Sequence, residues 1–305
     1  MVAIVATLAI AAVAPALAAR PHEAAAGPGP SQQAVGTAAQ AAAVRYWTGR
    51  RMTRNLVRQP PQAVSSWLNG DTGGAGLRWT HGGAVAAAVG RIFFTLGRAD
   101  YVCSGALVGG PHPDVVLTAA HCVSDGPGRG RATRWATNWV FVPGFTDGRL
   151  PYGEYTARRF LVPPGWTAPG GAEPDDFAFV QVNAAKSPPK LPYGLAVEFG
   201  RRPDVTSLRR SYVFGYPAEP PYTGLYPVYC AGLVTVSGGS ARMPCGMTAG
   251  DSGGPWLAGF RPRSGSGAVT AVTTYKLSGD LAVLYGAVLG PQARALYQRA
   301  VRSAR

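Results

Sequence analysis

A serine near the C-terminal end of the chain lies among residues that suit nucleophilic catalysis. Ser252 stands in the segment Met247–Trp256, MTAGDSGGPW, beside three glycines and a proline. A serine hydroxyl becomes a useful nucleophile when a base removes its proton, and the usual base is an imidazole that a carboxylate orients. Glycine and proline also punctuate ordinary loops, so a purely structural turn is the alternative for this segment. The partners of Ser252 must come from other parts of the chain.

The chain has four histidines as candidate bases. His22 lies in the N-terminal region, His81 at its boundary, and His112 between two prolines. His121 directly follows the apolar run VVLTAA and precedes Cys122. We expect the strand before it to hold this imidazole rigidly near the surface, which favours it as the base. A structural histidine is the alternative.

Two adjacent carboxylates are candidates for the group that orients the base. Asp175 and Asp176 precede the apolar segment FAFVQV. Because Asp176 is followed at once by Phe177, we expect it to lie near the protein interior, while Asp175 can face solvent. An aspartate before a strand is also a common turn residue, which is the alternative for both.

Taken together, the segments LTAAHC, DDFAF and GDSGGP resemble the chymotrypsin-like (trypsin-like) serine endopeptidases, in particular their secreted bacterial members. The resemblance covers about residues 89–290. It implies that His121 is the general base and then the general acid, Asp176 its orienting carboxylate, and Ser252 the nucleophile. It further implies that the backbone N–H groups of Gly250 and Ser252 bind the oxyanion of the tetrahedral intermediate.

The composition predicts an all-β protein. Forty-one glycines and 27 prolines separate short apolar runs, which favours many strands joined by turns. The runs form two series: VGRIFFTL, CSGALVGG, DVVLTAAHC, WVFVPGF and FAFVQV, then SYVFGYPA, YCAGLVTVSG, GPWLAGF, AVTAVTTYKL and LAVLYGAVL. The resemblance implies two six-stranded Greek-key β-barrels with the active site in the cleft between them. A C-terminal helix is predicted over residues 291–302, because Pro291 suits a first helical turn and arginines suit the last.

The predicted organisation has three parts. Residues 1–18 form an apolar stretch that ends in Ala-Leu-Ala and is predicted to be a signal peptide, although no Lys or Arg precedes it; an uncleaved anchor is the alternative. Residues 19–80 are predicted to be a pro-segment or disordered linker. Residues 81–305 are predicted to be the protease domain, with barrels at about 81–190 and 191–290 followed by the helix.

Four cysteines indicate an oxidising compartment. Of three possible connectivities, one joins the neighbouring pairs, Cys103 with Cys122 and Cys230 with Cys245. A metal site is the alternative, but there is no Cys-x-x-Cys segment and no histidine cluster. The resemblance implies that Cys103 and Cys122 restrain the loop of His121. We expect no metal and no cofactor.

Two features depart from the common family pattern. Many animal members expose an Ile-Val-Gly-Gly-like N-terminus whose ammonium pairs with the aspartate before the serine, and no such tetrapeptide occurs here. Val89-Gly90 is the nearest candidate, and it follows alanines rather than a basic residue. Asp251 therefore needs another partner, since an unpaired buried carboxylate is costly. We expect an internal arginine or ordered backbone amides.

The second departure concerns the substrate pocket. In many relatives a cysteine lies four residues before the serine, and an acidic residue six before it selects Arg or Lys substrates. Here Cys245 lies seven before Ser252 and Gly246 six before it, so basic specificity is not expected. The predicted pocket walls are two short segments, Gly246, Met247 and Thr248 on one side and Thr273, Thr274 and Tyr275 on the other.

The formal net charge is +14, and 26 of the 29 cationic side chains are arginines. The sequence has no basic run with interleaved aromatics and no helix-turn-helix or zinc pattern, so nucleic-acid binding is not expected. Weak association with anionic cell-surface polymers is one interpretation of the charge, and a solvated basic surface is the other. The predicted function is a secreted, monomeric serine endopeptidase acting on polypeptides. The alternatives are a catalytically silent homologue and a β-rich cell-surface binding protein.

Overall fold

The computed structural model describes residues 31–53, 72, 74–109, 114–126, 133–168, 173–184, 193–200 and 209–302. Its strands and helices in chain order are β1 (Ser31–Ala34), α1 (Thr37–Tyr46), α2 (Gly49–Thr53), β2 (Leu77–Arg78), α3 (Ala84–Ala88), β3 (Val89–Leu96), β4 (Ala99–Val108), β5 (Val115–Thr118), β6 (Thr137–Pro143), β7 (Tyr155–Val162), α4 (Pro164–Thr167), β8 (Ala178–Ala184), β9 (Ala196–Val197), β10 (Arg209–Gly215), β11 (Val228–Ser237), β12 (Ser240–Pro244), β13 (Pro255–Arg261), β14 (Ser266–Leu277), β15 (Asp280–Val288) and α5 (Pro291–Arg302). Two 3-10 helices, Ala120–Cys122 and Glu173–Asp175, complete the described elements.

Six antiparallel strands close the first barrel in the order β3-β4-β5-β8-β7-β6. The longest ladder joins β3 to β4 from Val89 opposite Ala106 to Leu96 opposite Ala99. The strands are rich in Val, Leu and Phe, and inward side chains such as Phe141 and Phe179 are fully buried. Closure leaves the barrel without a free edge, and the inward side chains fill its interior.

The second barrel closes in the same manner, in the order β10-β13-β14-β15-β12-β11. The β10–β11 ladder completes the ring, with Val213 opposite Cys230. Trp256 is 1% exposed, and its indole Nε1 donates a hydrogen bond to Thr273 Oγ1 at 3.0 Å. The two closed antiparallel barrels confirm the predicted all-β architecture.

The C-terminal helix α5 returns from the second barrel to the first. It contacts β8 and β7, and Gln181 donates a hydrogen bond from Nε2 to the carbonyl of Ala300 at 2.6 Å. Ala293, Leu296 and Ala300 are its buried residues, which lie on one face because they are spaced by three and four. The helix predicted over residues 291–302 is confirmed.

The N-terminal segment from Ser31 to Thr53 packs on the first barrel. β1 pairs antiparallel with the second half of β7, and α1 contacts β6 and β7. Ala43, Trp47 and Met52 are buried, and Trp47 donates a hydrogen bond from Nε1 to the carbonyl of Asn138 at 2.5 Å. These described residues of the 19–80 segment therefore pack on the barrel, and the assignment of the segment as a pro-segment or disordered linker stays a prediction. Residues 1–18 lie outside the described residues.

A second stretch before residue 80 packs on the other barrel. β2 pairs with β11, and the ring of Trp79 meets the rings of Phe214, Tyr229 and Phe260 at 5.4–5.6 Å between centroids. Trp79 is 4% exposed. Because these contacts join residues far apart in sequence, local apolar patterns do not reveal them.

Two disulfides join the neighbouring cysteines, Cys103 with Cys122 and Cys230 with Cys245, at Cα–Cα distances of 6.2 and 5.8 Å. The first ties β4 to the 3-10 helix that carries His121, as the resemblance implies. The second ties β11 to the chain after β12. Among the described helices, none combines the length and apolar character needed to span a membrane.

Candidate active site

His121 is held where β5 of the first barrel ends. The apolar strand stops at Thr118, and the chain turns into the 3-10 helix Ala120–Cys122. The disulfide of Cys122 restrains this turn, and Trp139 donates a hydrogen bond from Nε1 to the carbonyl of Cys122 at 3.2 Å. The His121 side chain is 33% exposed. A rigid turn thus presents the imidazole at the surface, as the sequence predicts.

Asp176 holds His121 through both carboxylate oxygens. Oδ2 lies 2.7 Å from Nδ1 of the ring, and Oδ1 accepts a hydrogen bond from the backbone N–H of His121 at 2.9 Å. The Asp176 side chain is 8% exposed. This arrangement favours the tautomer in which Nδ1 carries the proton and leaves Nε2 as the basic nitrogen.

Burial and the neighbouring carboxylates shift the pKa of His121 in opposite directions. Desolvation by burial lowers its pKa, while the charge and hydrogen bond of Asp176 and the charge of Asp251 raise it. The carboxylates prevail, and the pKa of His121 is raised above its ordinary value of 6.5. The protonated imidazole is therefore stabilised, as a base that accepts a proton during a reaction requires.

Ser252 belongs to the second barrel and lies close to the turn that carries His121. Its carbonyl accepts a hydrogen bond from the backbone N–H of Ser104 in β4 at 2.7 Å. Cys122 Sγ lies 3.8 Å from that carbonyl oxygen. Ser252 is partly exposed, as is His121. The contacts place the serine beside the residue that follows His121, at the junction of the two barrels.

The glycines around Ser252 are required by backbone conformation and by close packing. Gly250 has φ of +103° and Gly253 of +80°, which side chains of L-residues rarely adopt. A Cβ at Gly250 would lie 2.7 Å from the carbonyl oxygen of Tyr216. A Cβ at Gly253 would collide with Thr118 Oγ1 and the carbonyl oxygen of Ser104. Gly253 is therefore needed for the packing of the serine loop on the first barrel.

Two backbone donors remain available at this loop. Ser104 Oγ donates to the carbonyl of Gly250 at 2.8 Å and accepts from the backbone N–H of Tyr216 at 2.8 Å, which holds the Gly250 peptide in place. Within the described part of the chain, the backbone N–H groups of Gly250 and Ser252 have no acceptor. They can donate to a bound oxygen, as the resemblance implies.

Asp251 is buried, and its Oδ2 has no hydrogen-bond partner among the described residues. Desolvation raises its pKa to about 7, although the charges of Lys276 and His121 and its own backbone N–H act to lower it. The expected internal arginine is not found among the described residues. The cation that acts most strongly on this carboxylate is Lys276.

The predicted pocket walls lie beside Ser252, with their side chains turned in different directions. The backbone of Thr273 exchanges hydrogen bonds with Gly253 and Gly254 at 2.8 and 2.9 Å, so this wall adjoins the serine. The side chain of Thr273 bonds Trp256 inside the barrel, and Met247 is fully buried. Their backbones, rather than these side chains, can line a pocket.

The other four predicted wall residues hold distinct contacts. Gly246 donates its backbone N–H to Gly74, and Thr248 Oγ1 donates to the carbonyl of Glu219 at 2.9 Å. Thr274 Oγ1 donates to the carbonyl of Tyr285 at 3.2 Å, and Tyr275 stacks on the Tyr285 ring at 4.8 Å.

Lys276, which the sequence analysis did not single out, lies next to the predicted pocket walls. It follows Tyr275 in β14, and its Nζ donates hydrogen bonds to the carbonyls of Cys245 and Leu281. The signal in the sequence was its position next to the predicted wall and its rarity, since the chain has only three lysines.

A cavity of about 600 Å³ is lined in part by Gly250. Its wall includes residues of the N-terminal segment together with the chain around Gly250, namely Trp47, Arg51, Met52, Ala218, Glu219 and Ala249. The N-terminal segment therefore reaches the candidate site as well as the first barrel.

Among the described residues, one group resembles a metal site by proximity, formed by His121 with Cys103 and Cys122. Both sulfur atoms belong to the disulfide and are not thiolates. The group therefore lacks the ligands that a zinc site requires.

Comparisons with known proteins agree with the fold. Residues 81–285 match the model of the family described as Trypsin. A crystal structure of the protease Anisep from Arthrobacter nicotinovorans is similar at 32% identity with a TM-score of 0.62, covering 72% of this chain and 97% of that chain. A thermostable serine protease, AL20 from an extremophilic microorganism, is similar at 26% identity and a TM-score of 0.62, covering 72% of this chain and 99% of that chain. No curated protein matches the sequence.

Proposed function

This chain belongs to the trypsin family of serine proteases, and on that premise we propose that it is a secreted endopeptidase with a catalytic triad of Ser252, His121 and Asp176. It hydrolyses peptide bonds through an acyl-enzyme intermediate. The observation that carries the proposal is the pair of contacts between Asp176 and His121. Asp176 Oδ2 lies 2.7 Å from Nδ1 of the ring, and Asp176 Oδ1 accepts a hydrogen bond from the backbone N–H of His121 at 2.9 Å.

In the first step, Ser252 Oγ attacks the carbonyl carbon of the scissile peptide bond. His121 Nε2 takes the hydroxyl proton, and Asp176 stabilises the imidazolium that forms. The raised pKa of His121 supports this role, because the base must hold the proton until the leaving group needs it.

The tetrahedral intermediate carries its negative charge on the former carbonyl oxygen. In our proposal, that oxygen accepts hydrogen bonds from the backbone N–H groups of Gly250 and Ser252. Removing one such donor typically costs about a hundredfold to a thousandfold in kcat. The positive φ of Gly250 supports this role, since a side chain there would turn the amide away.

The intermediate collapses when His121 gives its proton to the leaving amine, which leaves Ser252 esterified to the acyl part of the substrate. A water molecule then attacks the ester carbonyl while His121 takes its proton. The bond to Ser252 Oγ breaks, His121 returns the proton to that oxygen, and the acyl part leaves as a carboxylic acid. The proposed cycle needs no metal and no cofactor.

We extend the proposal to substrates and location. Polypeptides are the substrates of this family, and the two disulfides are consistent with an oxidising compartment. Export through a signal peptide at residues 1–18, a monomeric state and weak association with anionic cell-surface polymers are predictions from the sequence.

A fluorophosphonate probe tests the proposal directly, because only an activated serine reacts quickly. We expect stoichiometric labelling of the wild-type chain, and loss of both labelling and peptide hydrolysis in Ser252→Ala with unchanged thermal unfolding. An exposed serine outside the site, Ser264, provides the control as Ser264→Ala. Wild-type turnover in Ser252→Ala would refute the triad. Absence of labelling and hydrolysis in a folded wild-type chain would instead favour the silent homologue.

A further inference from the structure

Lys276 follows the predicted wall residues 273–275 in β14. Its strand, β14, adjoins the serine loop through the hydrogen bonds of Thr273 with Gly253 and Gly254. The other predicted wall, residues 246–248, follows Cys245. Because Nζ of Lys276 donates to the carbonyl of Cys245, its side chain contacts the residue next to that wall.

The hydrogen bonds of Lys276 leave one of its N–H donors unused. Two of its three N–H donors go to the carbonyls of Cys245 and Leu281, which carry no net charge. Among the described residues, no carboxylate forms an ion pair with it. The negative charges of Asp251 and Asp280 act on Lys276 without an ion-pair contact. The third donor remains free for a ligand.

The surroundings of Lys276 determine how strongly its charge acts on a bound anion. Lys276 is partly buried, and desolvation lowers its pKa while Asp251 and Asp280 counteract that effect. A cation that is partly withdrawn from water interacts more strongly with an anion than an exposed one does. The wall residues 245–249 and the strand residues 273–275 contain no acidic side chain, and a carboxylate that contacts this strand, that of Glu173, is hydrogen-bonded to Tyr275.

We propose that Lys276 is a specificity-determining residue that selects an acidic side chain, glutamate or aspartate, immediately before the scissile bond. The proposal rests on the proposed function, because it needs Ser252 to be the nucleophile. The substrate carboxylate accepts the free N–H of Lys276 in a charge-assisted hydrogen bond, and a lysine or arginine at the same substrate position is repelled.

A peptide series that differs only in the residue before the scissile bond, as Glu, Asp, Gln, Leu or Lys, tests the inference. We expect kcat/KM for Glu or Asp to exceed that for Gln by about 10- to 100-fold, because Gln has a similar shape without the charge. Lys should be the poorest substrate. A preference for Leu or Lys over both acids in a wild-type enzyme that hydrolyses peptides would overturn the inference and leave the proposed function standing.

Two substitutions assign the preference to Lys276. Lys276→Met keeps the length and removes the charge, so the Glu-to-Gln ratio of kcat/KM should fall to about one. Lys276→Arg keeps the charge and should retain a ratio above about ten. Arg263→Met removes one exposed charge from the turn before β14 and should retain the wild-type ratio. A wild-type ratio in Lys276→Met would overturn the assignment.

The fluorophosphonate probe separates the two possible failures. It has no side chain in the pocket, so its reaction with Lys276→Met counts the active serines, and rates are expressed per labelled enzyme. A wild-type chain that neither labels nor hydrolyses any peptide refutes the proposed function and, with it, the inference. A chain that labels but shows no acidic preference refutes the inference alone.

Discussion

Asp175 and Asp176 are adjacent carboxylates with different surroundings. Asp176 is buried and bonds His121 twice. Asp175 is partly exposed, its pKa is raised by desolvation, and Gln292 donates a hydrogen bond to it. Although the two residues are adjacent in the chain, Asp176 can orient a base, whereas Asp175 contacts the C-terminal helix.

We expect Asp176→Asn to lower kcat on a peptide substrate by about ten-thousandfold, because an amide at this position favours the wrong imidazole tautomer. Asp175→Asn is the matched control and should stay within a few-fold of wild type. Steady-state kinetics on both variants, with thermal unfolding to verify folding, measures the difference. A larger loss in Asp175→Asn would show that the other carboxylate orients the base.

The pH dependence of hydrolysis follows from the raised pKa of His121. The neutral imidazole is the base, so kcat/KM should rise with pH and reach half its plateau above pH 6.5, the ordinary value. Below that point the proton stays on the ring and activity is lost. An NMR titration of His121 should give the same midpoint, and it should fall in Asp176→Asn because the Asp176 charge is gone. A midpoint below 6.5 in the wild type would contradict this.

At the scale of elements, the apolar runs predicted ten of the twelve barrel strands. The two that they missed are β7 and β12. β7 carries Arg158 and Arg159 in its middle, and Arg158 reaches Asp114 at 2.7 Å, so the strand is not continuously apolar. β12 is five residues long with Arg242 between two buried side chains. Strands interrupted by arginine have weak local apolar signals, because their stability comes from partners elsewhere in the chain.

The N-terminal segment is a further element that sequence patterns did not reveal. It has few apolar residues, but three of them, Ala43, Trp47 and Met52, are buried against the first barrel. Its ion pair between Arg51 and Asp100 measures 3.1 Å and is partly exposed, so it adds little stability. The attachment depends mainly on Trp47, whose ring lies 5.4 Å from that of Phe93.

Trp47→Ala in the full chain should lower the free energy of unfolding by about 3–5 kcal/mol, because a large buried ring is lost and a cavity remains. The hydrogen bond to the carbonyl of Asn138 is lost as well. Denaturant unfolding measures the change, and Arg50→Ala, an exposed position in α2, is the control. An unchanged midpoint in Trp47→Ala would show that the segment adds nothing to the stability of the barrel.

At the scale of the whole molecule, the site exists only where the barrels meet. His121 and Asp176 belong to the first barrel, and Ser252 to the second. Ser104 of the first barrel joins them, since its backbone N–H bonds the Ser252 carbonyl and its hydroxyl bonds Gly250. A change in how the barrels pack would therefore move the serine relative to the imidazole. Peptide hydrolysis should for this reason depend on the packing of the two barrels against each other.

The mature N-terminus tests export and processing of the whole chain. We predict cleavage of the signal peptide after residue 18 or 19, because of the small residues there. The pro-segment prediction further expects a mature N-terminus near residue 81. Mass spectrometry of the secreted enzyme decides between the two positions, and an N-terminus at residue 19 or 20 would mean that the segment packed on the first barrel is retained. An intact N-terminal Met1 would contradict the signal peptide.

The sequence by itself determined the fold class, the order of the three site motifs and the C-terminal helix. Short stretches of the sequence are enough to predict these features, because they depend on apolar runs, on glycines with special backbone angles and on residue types that the chemistry requires. Only the tertiary structure decided how Asp176, the carboxylate that the sequence favours, contacts His121, that residues 31–53 pack on the barrel, and that Lys276 bonds the carbonyl of Cys245. Those facts depend on contacts between residues such as 121 and 176, or 245 and 276, which lie 55 and 31 positions apart. No local pattern encodes such contacts, because barrel closure brings the two partners together.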